Sequence, residues 1–262
     1  MKTKDLIILG HRGCRNEDVP ENTMAAFQRA FDVGAEGIEI DVESTKDGQL
    51  LVVNRWFLKK NCDLFPWERN LDEILSQGRK RGVLFPRFDE VCQFIKERPG
   101  WIFNVEIKSS HRFLCRTAQK AARCIVDFGI EDQVIVSSFD VNTLLTVKFF
   151  QARLETAYLF RKEDRVVNLD DKKRFWYKIN GMINRSGIKA VIARVDTLHP
   201  EISLFHKTKK IFWQRNPLLA NKPVNTWSVD TEDHFDKALV NGVDIIISDN
   251  PGAMVAYRSG QS

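Results

Sequence analysis

The sequence lacks a long hydrophobic run. Among its 262 residues, the apolar run near the N-terminus extends only from Leu6 to Leu9. A signal peptide needs about 7–15 apolar residues and a membrane-spanning helix about 20. The five cysteines are an odd number and form no CxxC motif, which disfavours a disulfide framework or a zinc site. We therefore expect no membrane insertion, and free thiols in a cytoplasmic protein.

Glycine-rich nucleotide-binding motifs are also missing. No GxGxxG or GxxxxGK motif follows a candidate strand, which argues against a nucleotide-binding open sheet. The net charge of +5 suits an anionic ligand but is too small to indicate a nucleic-acid partner. The charged segment 161–185 is interpreted as a solvated surface connection, so we expect no nucleic-acid binding. The sequence does not indicate an oligomeric state.

Short apolar runs alternate with amphipathic stretches along nearly the whole chain. The candidate strands are Leu6–Leu9, Gly37–Val42, Leu50–Val53, Ile102–Ile107, Val134–Ser137, Thr156–Phe160, Ala190–Ala193, Asn225–Val229 and Asp244–Ser248. About eight strands that alternate with helices predict an α/β protein with a parallel (β/α)₈ TIM barrel, the alternative being an open doubly wound sheet. Because no linker is visible, we predict a single domain over residues 1–262, with an irregular excursion around 54–88.

Charged side chains lie near the C-terminal ends of three predicted barrel strands, where such barrels carry their functional groups. These side chains are His11, Arg12, Glu39, Asp41, Glu106 and Lys108. Residues two apart on a strand point to the same side, so Glu39 and Asp41 share one face. The alternatives are a solvent-facing strand for Glu39 and Asp41, a structural ion pair for Glu106 and Lys108, and a structural histidine for His11. The occurrence of such groups at three successive strand ends favours a site.

Three carboxylates at one barrel mouth would repel each other and lose hydration. A divalent cation removes both problems, and ligands that are all oxygen favour Mg²⁺ or Ca²⁺. A cation beside histidine, arginine and lysine side chains indicates phosphoryl chemistry, because the positive groups can hold a phosphate while histidine moves a proton.

Residues 11–53 read HRGCRNEDVPENTMAAFQRAFDVGAEGIEIDVESTKDGQLLVV. This stretch resembles the glycerophosphodiester phosphodiesterase family, which has HRG, then PENT followed by AF, then GA..IE.DV..TKDG..VV.HD. Further matches follow in order: FNVEIK, VIVSSFD, a strand ending in TWSVD, and GVDIIISDNP. The resemblance implies a (β/α)₈ barrel that hydrolyses small-molecule glycerophosphodiesters to glycerol 3-phosphate and an alcohol.

The resemblance also implies roles for individual residues. Glu39, Asp41 and Glu106 correspond to the family's metal ligands and are expected to hold one divalent cation, Mg²⁺ or Ca²⁺. His11 and Arg12 correspond to the HRG residues, which serve in proton transfer and phosphate contact.

Four further positions follow from the same resemblance. Lys108 is expected near the phosphate and is counted with the catalytic residues. Glu21 and Asn22 of the PENT motif are expected near the site. Trp227 matches an aromatic residue at the barrel mouth and is a candidate for substrate binding, with simple packing as its alternative.

Asn54 and Arg55 depart from the family pattern, which has His-Asp after VV. That histidine is the second member of the family's acid–base pair. A carboxamide does not transfer protons near neutral pH, and loss of one general acid or base costs about 10²–10⁴-fold in rate. Three interpretations stay open: a slow or specialised hydrolase, a substitute group such as His111, or a non-catalytic barrel whose Asn54 binds a phosphate or phosphodiester. Strand alternation predicts that the side chains of Asn54 and Arg55 point in opposite directions.

Overall fold

The computed structural model describes residues 6–108, 115–161, 183, 186–205 and 216–260. Its strands are β1 (Ile7–His11), β2 (Gly37–Ser44), β3 (Leu50–Val52), β4 (Ile102–Ile107), β5 (Val134–Ser138), β6 (Glu155–Phe160), β7 (Thr197–Pro200), β8 (Asn225–Trp227) and β9 (Ile245–Ser248). Its helices are α1 (Met24–Asp32), α2 (Arg55–Cys62), α3 (Leu71–Lys80), α4 (Phe88–Lys96), α5 (Arg116–Phe128), α6 (Val141–Phe150), α7 (Ile188–Ile192), α8 (Glu232–Val240) and α9 (Pro251–Gly260). Across these described ranges, none of the helices combines the length and apolar character that crossing a membrane requires.

Eight of the strands form a parallel barrel. Their order is β7-β6-β5-β4-β2-β1-β9-β8, and each neighbouring pair is parallel. Single parallel bridges, Leu198 to Val224 and Glu201 to Trp227, join β7 to β8 and nearly close the ring. β3 lies outside this ring and pairs antiparallel with β2. The predicted (β/α)₈ barrel is therefore confirmed.

The alternation of β2 and β4 separates an apolar face from a charged one. Ile38, Ile40 and Val105 are fully buried and belong to a core cluster that contains apolar residues of α1, α4 and α5. The charged residues of both strands point to the other side, into the barrel. The strands approach closely, since a Cβ on Gly37 would lie 2.0 Å from the Ile102 carbonyl oxygen.

The predicted strand Ala190–Ala193 is wrong, because these residues belong to α7 and its C-terminal cap. The seventh barrel strand is Thr197–Pro200 instead. Thr197 and His199 are buried although they are polar, because the interior of this barrel is partly polar. A short apolar run does not distinguish a strand from a buried helix, and the true strand has the less apolar sequence.

The excursion after β3 contains regular structure rather than irregular chain. It consists of α2, a 3₁₀ turn at Pro66–Glu68 and α3. Leu58, Ile74 and Phe85 are buried in a small apolar cluster of its own. The backbone N–H of Asn70 donates to Glu73 Oε2 (3.0 Å) and closes a capping box at the start of α3. The excursion is thus an ordered unit at the mouth of the barrel.

Candidate active site

The three predicted metal ligands converge at the C-terminal end of the barrel. Asp41 of β2 lies opposite Glu106 of β4, and Glu39 is two residues earlier on the same face. Each residue offers a carboxylate oxygen, and these oxygens lie within 4.8 Å of one another. All three residues are buried. The geometry brings together the acidic groups that the sequence pattern predicted.

The charges around these carboxylates are unevenly distributed. Burial and the negative charge of Asp41 raise the pKa of Glu39 to about 7. Asp41 is also buried, but the positive charges of Lys108 and Arg12 outweigh the burial and lower its pKa well below the usual range. Oε1 of Glu39 is buried and has no hydrogen-bond partner among the described residues. An unpartnered carboxylate oxygen beside two further carboxylates fits a hard divalent cation.

His11 lies at the end of β1, beside the carboxylates. Its Nδ1–H donates to Asp249 Oδ1 (2.5 Å), and its Nε2 lies 3.8 Å from Glu39 Oε2. Burial lowers the pKa of the ring, but the hydrogen bond to Asp249 and the charge of Glu39 outweigh burial, so the pKa of His11 is raised. The bond to Asp249 leaves Nε2 as the nitrogen that faces the carboxylates.

Asp249 is a functional candidate that the sequence reasoning missed. It directly follows β9, whose Ser248 lies opposite Gly10 of β1. It also accepts a hydrogen bond from Arg15 Nη2 (2.7 Å). The available signal was its position at a strand end next to the strand that carries His11.

Arg12 and Lys108 place fixed positive charges around Asp41. Arg12 has a positive φ of 61°, and its Nε lies 2.9 Å from Asp41 Oδ2 while its Nη1 donates to Glu21 Oε1 (2.6 Å). Lys108 Nζ lies 2.6 Å from Asp41 Oδ1 and also contacts Glu106. Burial opposes both charges, but the surrounding carboxylates outweigh it and raise the pKa of both groups. Both side chains therefore stay protonated.

Asn54 is engaged at both ends of its carboxamide. Its Nδ2 donates to Asp41 Oδ2 (2.9 Å), and its Oδ1 accepts from the backbone N–H groups of Trp56 (3.0 Å) and Phe57 (3.3 Å). Asn54 is thus the N-cap of α2 and a support for Asp41. Asn22 supports Asp41 in the same way, with its Nδ2 donating to Oδ2 (3.2 Å).

The side chains of Asn54 and Arg55 both reach the charged face of β2, Asn54 at Asp41 and Arg55 at Glu43, so the predicted opposite orientation is wrong. The reason is that β3 ends at Val52 and a helix begins at Arg55, so strand alternation does not apply. Arg55 pairs with Glu43 through Nε and through Nη2 (3.0 Å). Burial raises the pKa of Glu43 to about 7 despite this partner. Glu43 continues the charged face of β2 and was also missed.

A cavity of about 230 Å³ opens beside the candidate ligands. It is lined by Asn54, Arg55, Trp56, Glu106, Ile107, Lys108, Ser138, Phe139, Asp140 and Arg161. Trp227 is not among the lining residues but contacts one of them: its ring packs edge-to-face on Phe139 at 5.8 Å between ring centroids, and its Nε1–H donates to the His199 carbonyl (2.9 Å).

A larger cavity of about 420 Å³ lies at the opposite end of the barrel. That end carries none of the candidate catalytic groups. His111 lies outside the described residues.

The sequence profile of the Glycerophosphoryl diester phosphodiesterase family matches residues 11–253. The chain belongs to this family. A relative named glycerophosphodiester phosphodiesterase from Caldanaerobacter subterraneus subsp. tengcongensis is 30% identical, over 97% of this chain and 97% of its own. Another of the same name from Bacillus altitudinis is 29% identical, over 96% and 97%.

Solved structures of this family share the fold. A putative glycerophosphodiester phosphodiesterase from Galdieria sulphuraria has a TM-score of 0.77 at 20% identity, covering 98% of this chain and all of the other. A phosphodiesterase from Oleispira antarctica, in complex with the product sn-glycerol-3-phosphate, has a TM-score of 0.73 at 19% identity, with 97% and 96% covered. Both similarities support the barrel that the strand order defines.

Proposed function

We propose that this protein is a metal-dependent phosphodiester hydrolase that converts glycerophosphodiesters to glycerol 3-phosphate and an alcohol. The observation that carries the proposal is the joint placement of three buried carboxylates and His11 at one end of the barrel. The substrate class is supported by the names of two relatives that match nearly the whole chain.

Glu39, Asp41 and Glu106 would hold the cation, Mg²⁺ or Ca²⁺. When bound, such a cation polarises the phosphoryl oxygens and compensates for the charge that develops in the transition state. Oε1 of Glu39 has no hydrogen-bond partner among the described residues, and the pKa of this residue is raised. Both observations support a cation as the partner of this carboxylate.

His11 would transfer the proton. The carboxylate of Asp249 fixes the ring by accepting from Nδ1 (2.5 Å), which directs Nε2 toward the reaction centre. In this orientation Nε2 can accept a proton from the attacking water or return one to a departing alcohol. Asp249 is a positioning residue in this proposal, because it acts through the ring of His11.

Arg12 and Lys108 would stabilise the phosphate. Their raised pKa values keep both protonated, so neither serves as a base. Preorganised positive charge in a buried site stabilises a phosphoryl transition state without reorganisation at the moment of reaction. Their existing contacts with Asp41 and with its neighbours hold them in place.

Asn54 would lower the rate of hydrolysis for substrates whose alcohol must be protonated before it can leave. Its two hydrogen-bonding ends are engaged, and none of the described residues that line the cavity is a histidine. The enzyme is therefore expected to favour diesters whose alcohol leaves without protonation. The same observation supports the second candidate, a non-catalytic barrel that binds a phosphate or phosphodiester.

Hydrolysis by the purified full chain tests the proposal. With Mg²⁺ or Ca²⁺ present, we expect turnover of bis-(p-nitrophenyl) phosphate and much slower turnover of glycerophosphocholine, since p-nitrophenolate needs little protonation. Glu106→Gln should abolish both activities, whereas Glu97→Gln, which alters an exposed carboxylate, should leave them unchanged. No turnover of either substrate, with any divalent cation, would favour the binding protein instead.

A further inference from the structure

Three aromatic rings of the excursion form an exposed cluster at the rim of the cavity. The side chains of Trp56 and Trp67 are 67% and 48% exposed. Between them, Phe65 packs edge-on to Trp56 (5.6 Å between ring centroids) and stacks on Trp67 (4.8 Å). Trp56 also lines the cavity. Exposed clusters of large apolar groups mark interaction sites more often than isolated exposed residues do.

Cations surround this cluster. The guanidinium of Arg55 lies 5.2 Å from the ring centroid of Trp67, and Lys59 Nζ lies 5.4 Å from that of Phe65. Lys60 and Arg69 are exposed nearby in sequence. We call the rings of Trp56, Phe65 and Trp67, together with Arg55, Lys59, Lys60 and Arg69, the aromatic–basic surface.

Acidic groups offset part of this charge, since Glu43 pairs with Arg55. Asp63 pairs with Lys59 (2.7 Å), and Glu68 Oε2 accepts from the backbone N–H of Phe65 (2.7 Å). Residues 54–87 nevertheless contain eight lysines and arginines against four acidic residues. The segment therefore carries a net +4, but Arg79, Lys80, Arg81 and Arg87 lie outside the aromatic–basic surface. The four cations of that surface stand against Glu43, Asp63 and Glu68, which leaves it a net +1.

We propose that the aromatic–basic surface docks the protein on the surface of an anionic phospholipid bilayer. Tryptophan rings are amphipathic and reside at the level of the lipid headgroups, while nearby lysines and arginines are attracted by anionic headgroups. Such surface binding requires no membrane-spanning helix. Because Trp56 belongs both to this surface and to the cavity wall, docking would place the cavity mouth at the lipid–water boundary.

Two other occupants fit the surface less well. A second copy of the chain, related by twofold symmetry, would place the same basic face against itself. Single-stranded nucleic acid binds by stacking bases on open ring faces, but Phe65 and Trp67 cover each other on one face. Lipid insertion uses the exposed ring edges instead, and the charge complements an anionic membrane.

Co-sedimentation of the full chain with vesicles tests the proposal without any hydrolysis. We expect binding to mixed phosphatidylcholine–phosphatidylglycerol vesicles, weakened by salt, and much weaker binding to phosphatidylcholine alone. Lys60→Ala should lower the partition coefficient about fivefold, since one basic residue near the surface contributes about 1 kcal/mol. Trp67→Ala should lower it several-fold.

Matched variants at the other end of the barrel provide the control. Lys96 and Phe149 are exposed and lie at the C-terminal ends of α4 and α6, away from the cavity mouth. Lys96→Ala and Phe149→Ala should bind vesicles as the unmodified protein does. Absence of binding to anionic vesicles, or equal losses in the control variants, would overturn the proposal. Binding to single-stranded DNA that Trp67→Ala removes, without vesicle binding, would assign the surface to nucleic acid instead.

Discussion

Replacing Asn54 by histidine restores the acid–base group that the rest of the family motif implies. In the structure, Asn54 caps α2 and donates to Asp41 Oδ2 (2.9 Å). A histidine at this position would lie beside the buried carboxylates and would line the same cavity as Lys108. We expect the Asn54→His variant to hydrolyse glycerophosphocholine at least tenfold faster, with an upper limit set by the about 10²–10⁴-fold that a general acid contributes.

The substitution also has a structural cost. Loss of the N-cap that bonds Trp56 and Phe57 is worth about 1 kcal/mol, and one kcal/mol lowers the Tm of a domain of this size by about 2–4 °C. Calorimetry should therefore show a modest decrease in Tm together with the gain in activity.

Two comparisons isolate the chemical effect. Asn54→Ser retains a capping side chain without a proton-transfer group, so it should show no gain on glycerophosphocholine. Turnover of bis-(p-nitrophenyl) phosphate should change little in Asn54→His, because its leaving group needs no proton. A folded Asn54→His variant with unchanged activity on glycerophosphocholine would refute the view that this position limits the reaction.

Three further outcomes follow from the barrel interior and the strand ends. Burial lowers the pKa of His199 to about 3, so the folded state favours the neutral imidazole. The contribution of this group to the free energy of unfolding is therefore fully present above about pH 6.5 and decreases as the pH falls toward about 3. At about pH 5 we expect the free energy of unfolding to be lower by about 2 kcal/mol. Urea unfolding should show that His199→Gln removes this part of the pH dependence, and an unchanged slope would contradict the assignment. Asp249→Asn should lower kcat more than tenfold, but less than the about 10²–10⁴-fold expected for removing a general acid or base itself. It should also move the pH–rate limb of His11 to lower pH, whereas a merely structural role would leave that limb in place. Gly37→Ala should destabilise the protein by about 2 kcal/mol or more, because the new Cβ meets the Ile102 carbonyl oxygen, while Gly260→Ala, with open space around it, should have no such effect in the same unfolding experiment.

Much of the barrel could be predicted because most of its strands are recognisable from local sequence patterns. The apolar runs of β1, β2, β4 and β9 report burial directly, and alternation on β2 correctly placed Glu39 and Asp41 on one face. β7 could not be found in this way, because Thr197 and His199 face a polar interior and the strand reads as a loop. Its burial depends on neighbouring strands that are distant in sequence.

The site was predictable where it lies on strands and less so where it lies between them. The metal ligands follow from strand spacing, but the partner of His11 is Asp249, 238 residues away, and closure of the barrel brings them together. The orientation of Arg55 depends on a helix that begins immediately after β3. Asn54 caps this helix at its N-terminus, and the alternating pattern of the preceding strand does not predict where the helix begins.

The most direct test of the central claim is metal-dependent release of glycerol 3-phosphate. The measurement is glycerol 3-phosphate formed from glycerophosphocholine by the full chain with Mg²⁺ or Ca²⁺, before and after chelation, using enough protein to detect slow turnover. A cation held by Glu39, Asp41 and Glu106 predicts slow release that chelation abolishes and re-added cation restores. Release that is insensitive to chelation, or no release with either cation, would contradict it.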